Sequence, residues 1–191
     1  TVEGQIHNGA DDNASGTAVV MNLAERLSRR QQRLARTVVF VAFTAEELGT
    51  HGSNHYVSHP PFPIESTKAM INLDMVGRMR ENRVTAAGVD TAKEFRAIVT
   101  AAGQDFGVEI APSSRAVGGS DHTPFYNKNI PVLHFYTGTH EDYHRPTDDW
   151  EKLNIEGMVK TSDVVLAVVE KVAGAKESPT FVRSPSAPPR S

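Results

Sequence analysis

The sequence predicts an α/β fold, a three-layer α/β/α sandwich around a mostly parallel mixed sheet. Three observations point there. Apolar, β-branched runs alternate with helical segments along most of the chain. Two of those runs, Thr37–Phe43 and Ala69–Met75, are continuous enough to be strands covered on both faces. Carboxylates gather just past the ends of these runs, where open α/β sheets place their ligands.

Val2 to Gly9 reads as an approach loop or strand. Asn13 or Ser15 caps a helix to about Arg30, with Ala18, Met21, Leu23, Ala24 and Leu27 as its apolar face. Arg29, Arg30, Arg33 and Arg36 suit a solvated helix end. After Thr37–Phe43, the pair Glu46-Glu47 opens a helix through Val57, and His59–Pro63 is a loop. Ala69–Met75 is a buried strand with Asp74 near its end, and Arg83–Ala87 is a third strand. Thr91–Phe106 is a helix, and Gly118–Phe125 is a glycine turn entering a short helix. Ile130–Tyr136 is a further strand, the loop 137–149 carries His140 and His144, and Ile155–Val172 is a closing amphipathic helix. The folded part thus runs over 1–173. From 174 to 191 the Ser, Pro, Arg and Lys composition predicts a disordered tail or a linker.

Composition narrows the function. The net charge is −3 with acids and bases interspersed, which disfavours a nucleic-acid surface. No run approaches the roughly 18 uninterrupted apolar residues of a membrane span. There is no cysteine, so a metal site must use oxygen and nitrogen donors. No His-Glu-x-x-His run is present, which excludes the helix-borne zinc-protease arrangement.

Four segments carry chemistry: Asn8–Gly16 with Asp11 and Asp12, Thr44–Gly49 with Glu46 and Glu47, Asn72–Met75 with Asp74, and Asp142–Asp148 with His144. A buried carboxylate alone is costly to desolvate, whereas one divalent cation compensates several. Adjacent side chains such as Glu46 and Glu47 point apart, so one can bind a metal while the other takes a proton from water beside it. Taken singly, each segment has a plainer reading. Glu46-Glu47 suits a helix start, Asp11-Asp12 a turn or cap, Asp74 a hydrogen-bonded structural acid, and His144 a solvent-facing loop. The other seven histidines read as structural. Phe125, Phe135, Tyr136 and Met75 read as core, and Arg78 as a surface ion pair or an anchor for a substrate carboxylate.

Together with Gly118–Phe125, these segments resemble those of the co-catalytic di-zinc aminopeptidases, metallopeptidase family twenty-eight. The likeness runs in the family's order from about Gly4 to Val172. It implies a metal-dependent exopeptidase that hydrolyses the N-terminal peptide bond with a metal-bridging hydroxide. By the resemblance, Asp12 bridges two zinc ions, Glu46 is the general base, Glu47 and His144 complete one zinc, and Asp74 binds the other. Tyr143 assists the oxyanion, Asp121 backs a metal ligand or shapes the pocket, and Asp148 orients the metal-binding loop. The partner is a peptide with a free N-terminus, and a secreted or periplasmic location follows from the family. The cofactor is zinc, two ions in the intact family and one or two here, although such ligands also accept Co or Mn.

The family's further histidine ligand, in a His-x-Asp segment, has no counterpart, because only 11 residues precede Asp12. The resemblance therefore implies a catalytic domain over 1–173 that lacks its N-terminal part. An exposed sheet edge able to form oligomers follows, as does weak or absent activity of these residues alone. Two other readings stand: a glutaminyl-cyclase-like zinc aminoacyl transferase, and a non-catalytic binding module on the same fold. Retention of all five acid and histidine positions argues against the last.

Overall fold

The structure, a computed structural model, describes residues 4–184. Its sheet has four strands: β1 Met70–Leu73, β2 Arg83–Ala87, β3 Glu109–Ser113 and β4 Val132–Tyr136. Their order is β1-β4-β2-β3. The β1/β4 and β2/β3 pairs are parallel and the β2/β4 pair is antiparallel, so the sheet is mixed and mostly parallel, as the sequence predicts. The central strand β4 is the most apolar, with Val132, Leu133 and Phe135 fully buried.

Alternation along the strands divides the core into two layers. Leu73 on β1, Val84 and Ala86 on β2, and Leu133 and Phe135 on β4 join one cluster. It is roofed by three helices: α1 Gly16–Ser28, α3 Phe95–Asp105 and α5 Ile155–Gly174. These contribute Val19 and Leu23, Phe95 and Val99, and Val164, Val165 and Val168. Val132 faces the other way, into a smaller cluster with α2 His51–Ser58 and α4 His122–Asn127 through Val57, Phe125 and Tyr126. Asn154 caps α5 by accepting the Gly157 N–H at 2.8 Å.

Five details differ from the sequence reading, each for a local reason. Thr37–Phe43 is not a strand. No backbone hydrogen bond joins it to another segment among the described residues, and Val39 and Phe40 stay 49% and 39% exposed. β-branched composition favours a strand only where a neighbour completes the ladder. Phe43 is anchored, edge-on to Tyr56 at 5.7 Å. The helix expected from Glu46 begins at His51, because Gly49 and Thr50 both have positive φ and break its first turn. Strand β3 was hidden by Pro112, which sits on an edge where the missing N–H is tolerated. On α1 the buried face is Val19 and Leu23, while Met21 is 67% exposed. Residues 175–184 return along the domain. The Lys93 N–H donates to Thr180 O, the Val182 N–H to Thr91 O, and the Ser184 N–H to the Tyr126 hydroxyl. The remainder of the predicted tail, 185–191, lies outside the described residues.

Candidate metal centre

The turn before α1 sends its two acids in opposite directions. Gly9 starts it with φ of 59°, and a Cβ there would lie 2.5 Å from the Asp12 carbonyl oxygen. The Asp12–Asn13 peptide is cis. Asp12 faces the C-terminal rim of β1, while Asp11 is fully buried. Asn13 ties this turn to the strand end. Its amide donates to Leu73 O at 2.9 Å, and its oxygen accepts the Gly16 N–H at 3.0 Å and the Met75 N–H at 3.3 Å. Asn13, rather than Ser15, is thus the side chain that caps α1.

The second acid pair sits in a turn. The Gly49 and Thr50 N–H groups both donate to Glu46 O, at 2.9 and 2.7 Å. Glu47 reaches His144, with Oε1 3.0 Å from Nε2. The same Nε2 lies 3.2 Å from Asp12 Oδ2. One donor atom each from Asp12, Glu47 and His144 falls within 4.8 Å of the other two. His144 holds φ of 57°, and its ring stacks on Tyr143 at 3.8 Å. Asp74, one residue past β1, accepts the Ser120 hydroxyl at 2.6 Å, and Ser120 accepts the Asn72 amide at 2.7 Å. Asp121 accepts the Ser53 hydroxyl at 2.5 Å.

Glu46 makes no hydrogen bond of this kind. Burial, then the charges of Asp74, Glu47, Asp121 and Asp12, push its carboxyl from 4.5 up to about 7. Burial and the charges of Asp74 and Glu47 likewise raise Asp12 from 3.8 to about 7. Tyr143 is held protonated by burial and by the same acids, so its hydroxyl is a donor. Crowded carboxylates that retain protons near neutrality are the surroundings in which a dication replaces protons as the compensating charge. The three convergent donors, two oxygens and one nitrogen, suit zinc and leave room for a further ligand.

Beneath these residues lies a buried charge network that sequence reasoning largely missed. Asp11 Oδ2 is 3.0 Å from His140 Nε2, and Asp11 Oδ1 accepts the Gly77 N–H at 2.6 Å. Gly77 permits this approach, since a Cβ there would lie 2.8 Å from that oxygen. Burial raises the Asp11 carboxyl above its usual range, against the lowering effect of Gly77 and Ser15. Arg78 is no surface residue: its Nη2 bridges Asp142 at 3.2 Å and Asp148 at 3.1 Å. The Lys152 ammonium and the Thr147 hydroxyl hold Asp142 well below the usual carboxylate range. Asp148 Oδ2 accepts the N–H groups of both Asp11 and Asp12. The sequence signals were slight: Asp11 beside Asp12, and His140 and Asp142 four and two residues before His144.

The model of peptidase family M28 matches residues 1–169. Aminopeptidase YwaD of Bacillus subtilis (strain 168) is 31% identical over 185 residues, covering 92% of this chain and 40% of the relative. The structure of BSAP, a zinc aminopeptidase from Bacillus subtilis, superposes with a TM-score of 0.78 at 29% identity, covering 93% of this chain and 46% of that one. A glutaminyl cyclase from Porphyromonas gingivalis superposes at 0.66 and 17% identity, covering 86% of this chain and 64% of that one, which shows a shared fold alone. The chain therefore spans less than half the length of the two aminopeptidases.

Proposed function

The chain belongs to peptidase family M28, and on that footing we propose that it forms part of a zinc-dependent aminopeptidase that removes the first residue from peptides. One observation carries this reading: Asp12, Glu47 and His144 converge within 4.8 Å, beside Glu46 with its carboxyl raised to about 7. Asp12, Glu47 and His144 would hold one zinc, and Asp74 with Asp12 would supply ligands to a second. Bound zinc supplies polarisation of the scissile carbonyl and acidification of a coordinated water.

The chain's own residues do the rest. Glu46 accepts the proton of the attacking water at a carboxylate oxygen and returns it to the departing amine nitrogen. The Tyr143 hydroxyl donates to the oxygen of the carbonyl as it gains charge. The α-ammonium of the substrate would sit near the second zinc beside Asp121, which limits cleavage to the first bond. A secreted or periplasmic setting belongs to the same reading.

Among the described residues no histidine joins Asp74 in a three-donor group. These 191 residues are accordingly proposed to bind one zinc well and to turn over peptides weakly. The three-donor, one-ion arrangement also favours a second reading, a zinc aminoacyl cyclase acting on N-terminal glutamine. The deciding experiment measures zinc per chain and assays aminoacyl-anilide hydrolysis and glutamine cyclisation by the whole protein. Two zincs and anilide hydrolysis support the first reading; one zinc and cyclisation replace it with the second.

A further inference from the structure

Helix α2 and its C-terminal cap carry histidine at every fourth position: His51, His55 and His59. That spacing aligns side chains along one helix face. All three are exposed, and all three line one groove of about 370 Å³ together with Phe43 and Tyr56. The His55 and His59 rings lie 4.5 Å apart between centroids and 22° from parallel. The His59 N–H donates to the His55 carbonyl at 2.8 Å, so the turn between them is closed and their spacing fixed.

We propose that His55 and His59 form a separate metal site, a two-imidazole chelate for a borderline transition-metal dication. None of its donors belongs to the Asp12, Glu47 and His144 group. A tetrahedral shell with nitrogen donors sets them about 3.3 Å apart. The rings now stack face to face, so chelation requires both exposed side chains to turn until a nitrogen of each points at a common ion. His51 is not a third ligand to the same ion, because eight residues of helix rise by about 12 Å between His51 and His59. The groove lining includes no carboxylate, so the site offers neutral nitrogen and water. That donor set prefers Cu²⁺ over Ni²⁺ and Zn²⁺ and discriminates against Ca²⁺ and Mg²⁺, which require oxygen ligands.

The test follows the ring C–H signals of each histidine by NMR while the zinc-loaded chain is titrated with Cu²⁺. Below one equivalent, the His55 and His59 signals broaden before those of His7 and His51. His55→Ala and His59→Ala each weaken copper binding by about tenfold or more, since chelation is lost. His51→Ala leaves the affinity unchanged. The melting temperature of each variant stays at that of the parent chain, because all three rings are exposed. Copper that exchanges into the Asp12 group broadens His144 and is read separately. Broadening of His59 that persists undiminished in His55→Ala, or equal broadening of His7, His51 and His59, means single-imidazole binding and overturns the proposal. So does an equal response to Ca²⁺ or Mg²⁺.

Discussion

Asp148 holds the backbone of Asp12: its Oδ2 accepts the Asp12 N–H at 3.0 Å and the preceding Asp11 N–H at 2.9 Å. The same carboxylate receives Arg78, which also grips Asp142 two residues before His144. The turn bearing one proposed ligand and the loop bearing another are thus fastened to one largely covered cation. The 3.2 Å approach of His144 to Asp12 follows from that fastening. Asp148→Ala leaves two N–H groups and part of a guanidinium unpaired in the interior. Its expected cost is about 3 kcal/mol in denaturant unfolding, with zinc affinity lowered about tenfold to a hundredfold in a competitive chelator titration.

Glu46→Gln keeps the side-chain shape and removes the proton acceptor. Zinc content, read by atomic absorption, should remain that of the parent. Turnover of an aminoacyl-anilide by the whole protein should drop by at least about a hundredfold. Unchanged turnover would remove Glu46 from the role of base.

His144 is half exposed and supplies the single nitrogen of the three-donor group. His144→Ala should leave the metal-free melting temperature within a degree or two of the parent while abolishing zinc binding at Asp12 and Glu47. Calorimetric titration of the two chains checks this. Retention of parent-like affinity would show that the zinc sits elsewhere.

Zinc binding should strengthen as pH rises through neutrality. The Asp12 and Glu46 carboxyls are raised from 3.8 and 4.5 to about 7 in the metal-free fold. A raised carboxyl stabilises the fold below its unfolded value, and that contribution is lost as pH climbs through the folded one. The two acids therefore favour the metal-free state at about pH 4 and strain it above about pH 7, where zinc relieves the strain. The zinc-induced gain in melting temperature should grow between those limits. Protons released on binding, measured in buffers of different ionisation heat, should be more numerous at about pH 6 than at about pH 8. A gain independent of pH would mean that these carboxyls are not displaced by metal.

How much of this was legible in the sequence depended on how local each signal was. Strand β2 was predicted with its observed bounds, because Arg83–Ala87 is flanked by turn residues and alternates cleanly. Glu46, Glu47, Asp74 and His144 stood out because each lies in a short contiguous motif at the rim of an element. Arg78 with Asp142 and Asp148, and Asp11 with His140, are pairs separated by 64 to 129 positions, which only the chain's path brings together. Thr37–Phe43 misled because its residue types suit a strand whose partner no described segment supplies. Pro112 concealed β3, since proline signals a break except at an edge.

Val39, Phe40 and Val41 face water although their composition suits a core. Any surface that covers them does so through a force that is entropic near room temperature and weakens on cooling. Clustering of the chain through this segment should then be warmth-promoted and reversed by chilling, so a preparation that turns cloudy at the bench is best cleared on ice before anything is inferred about its fold.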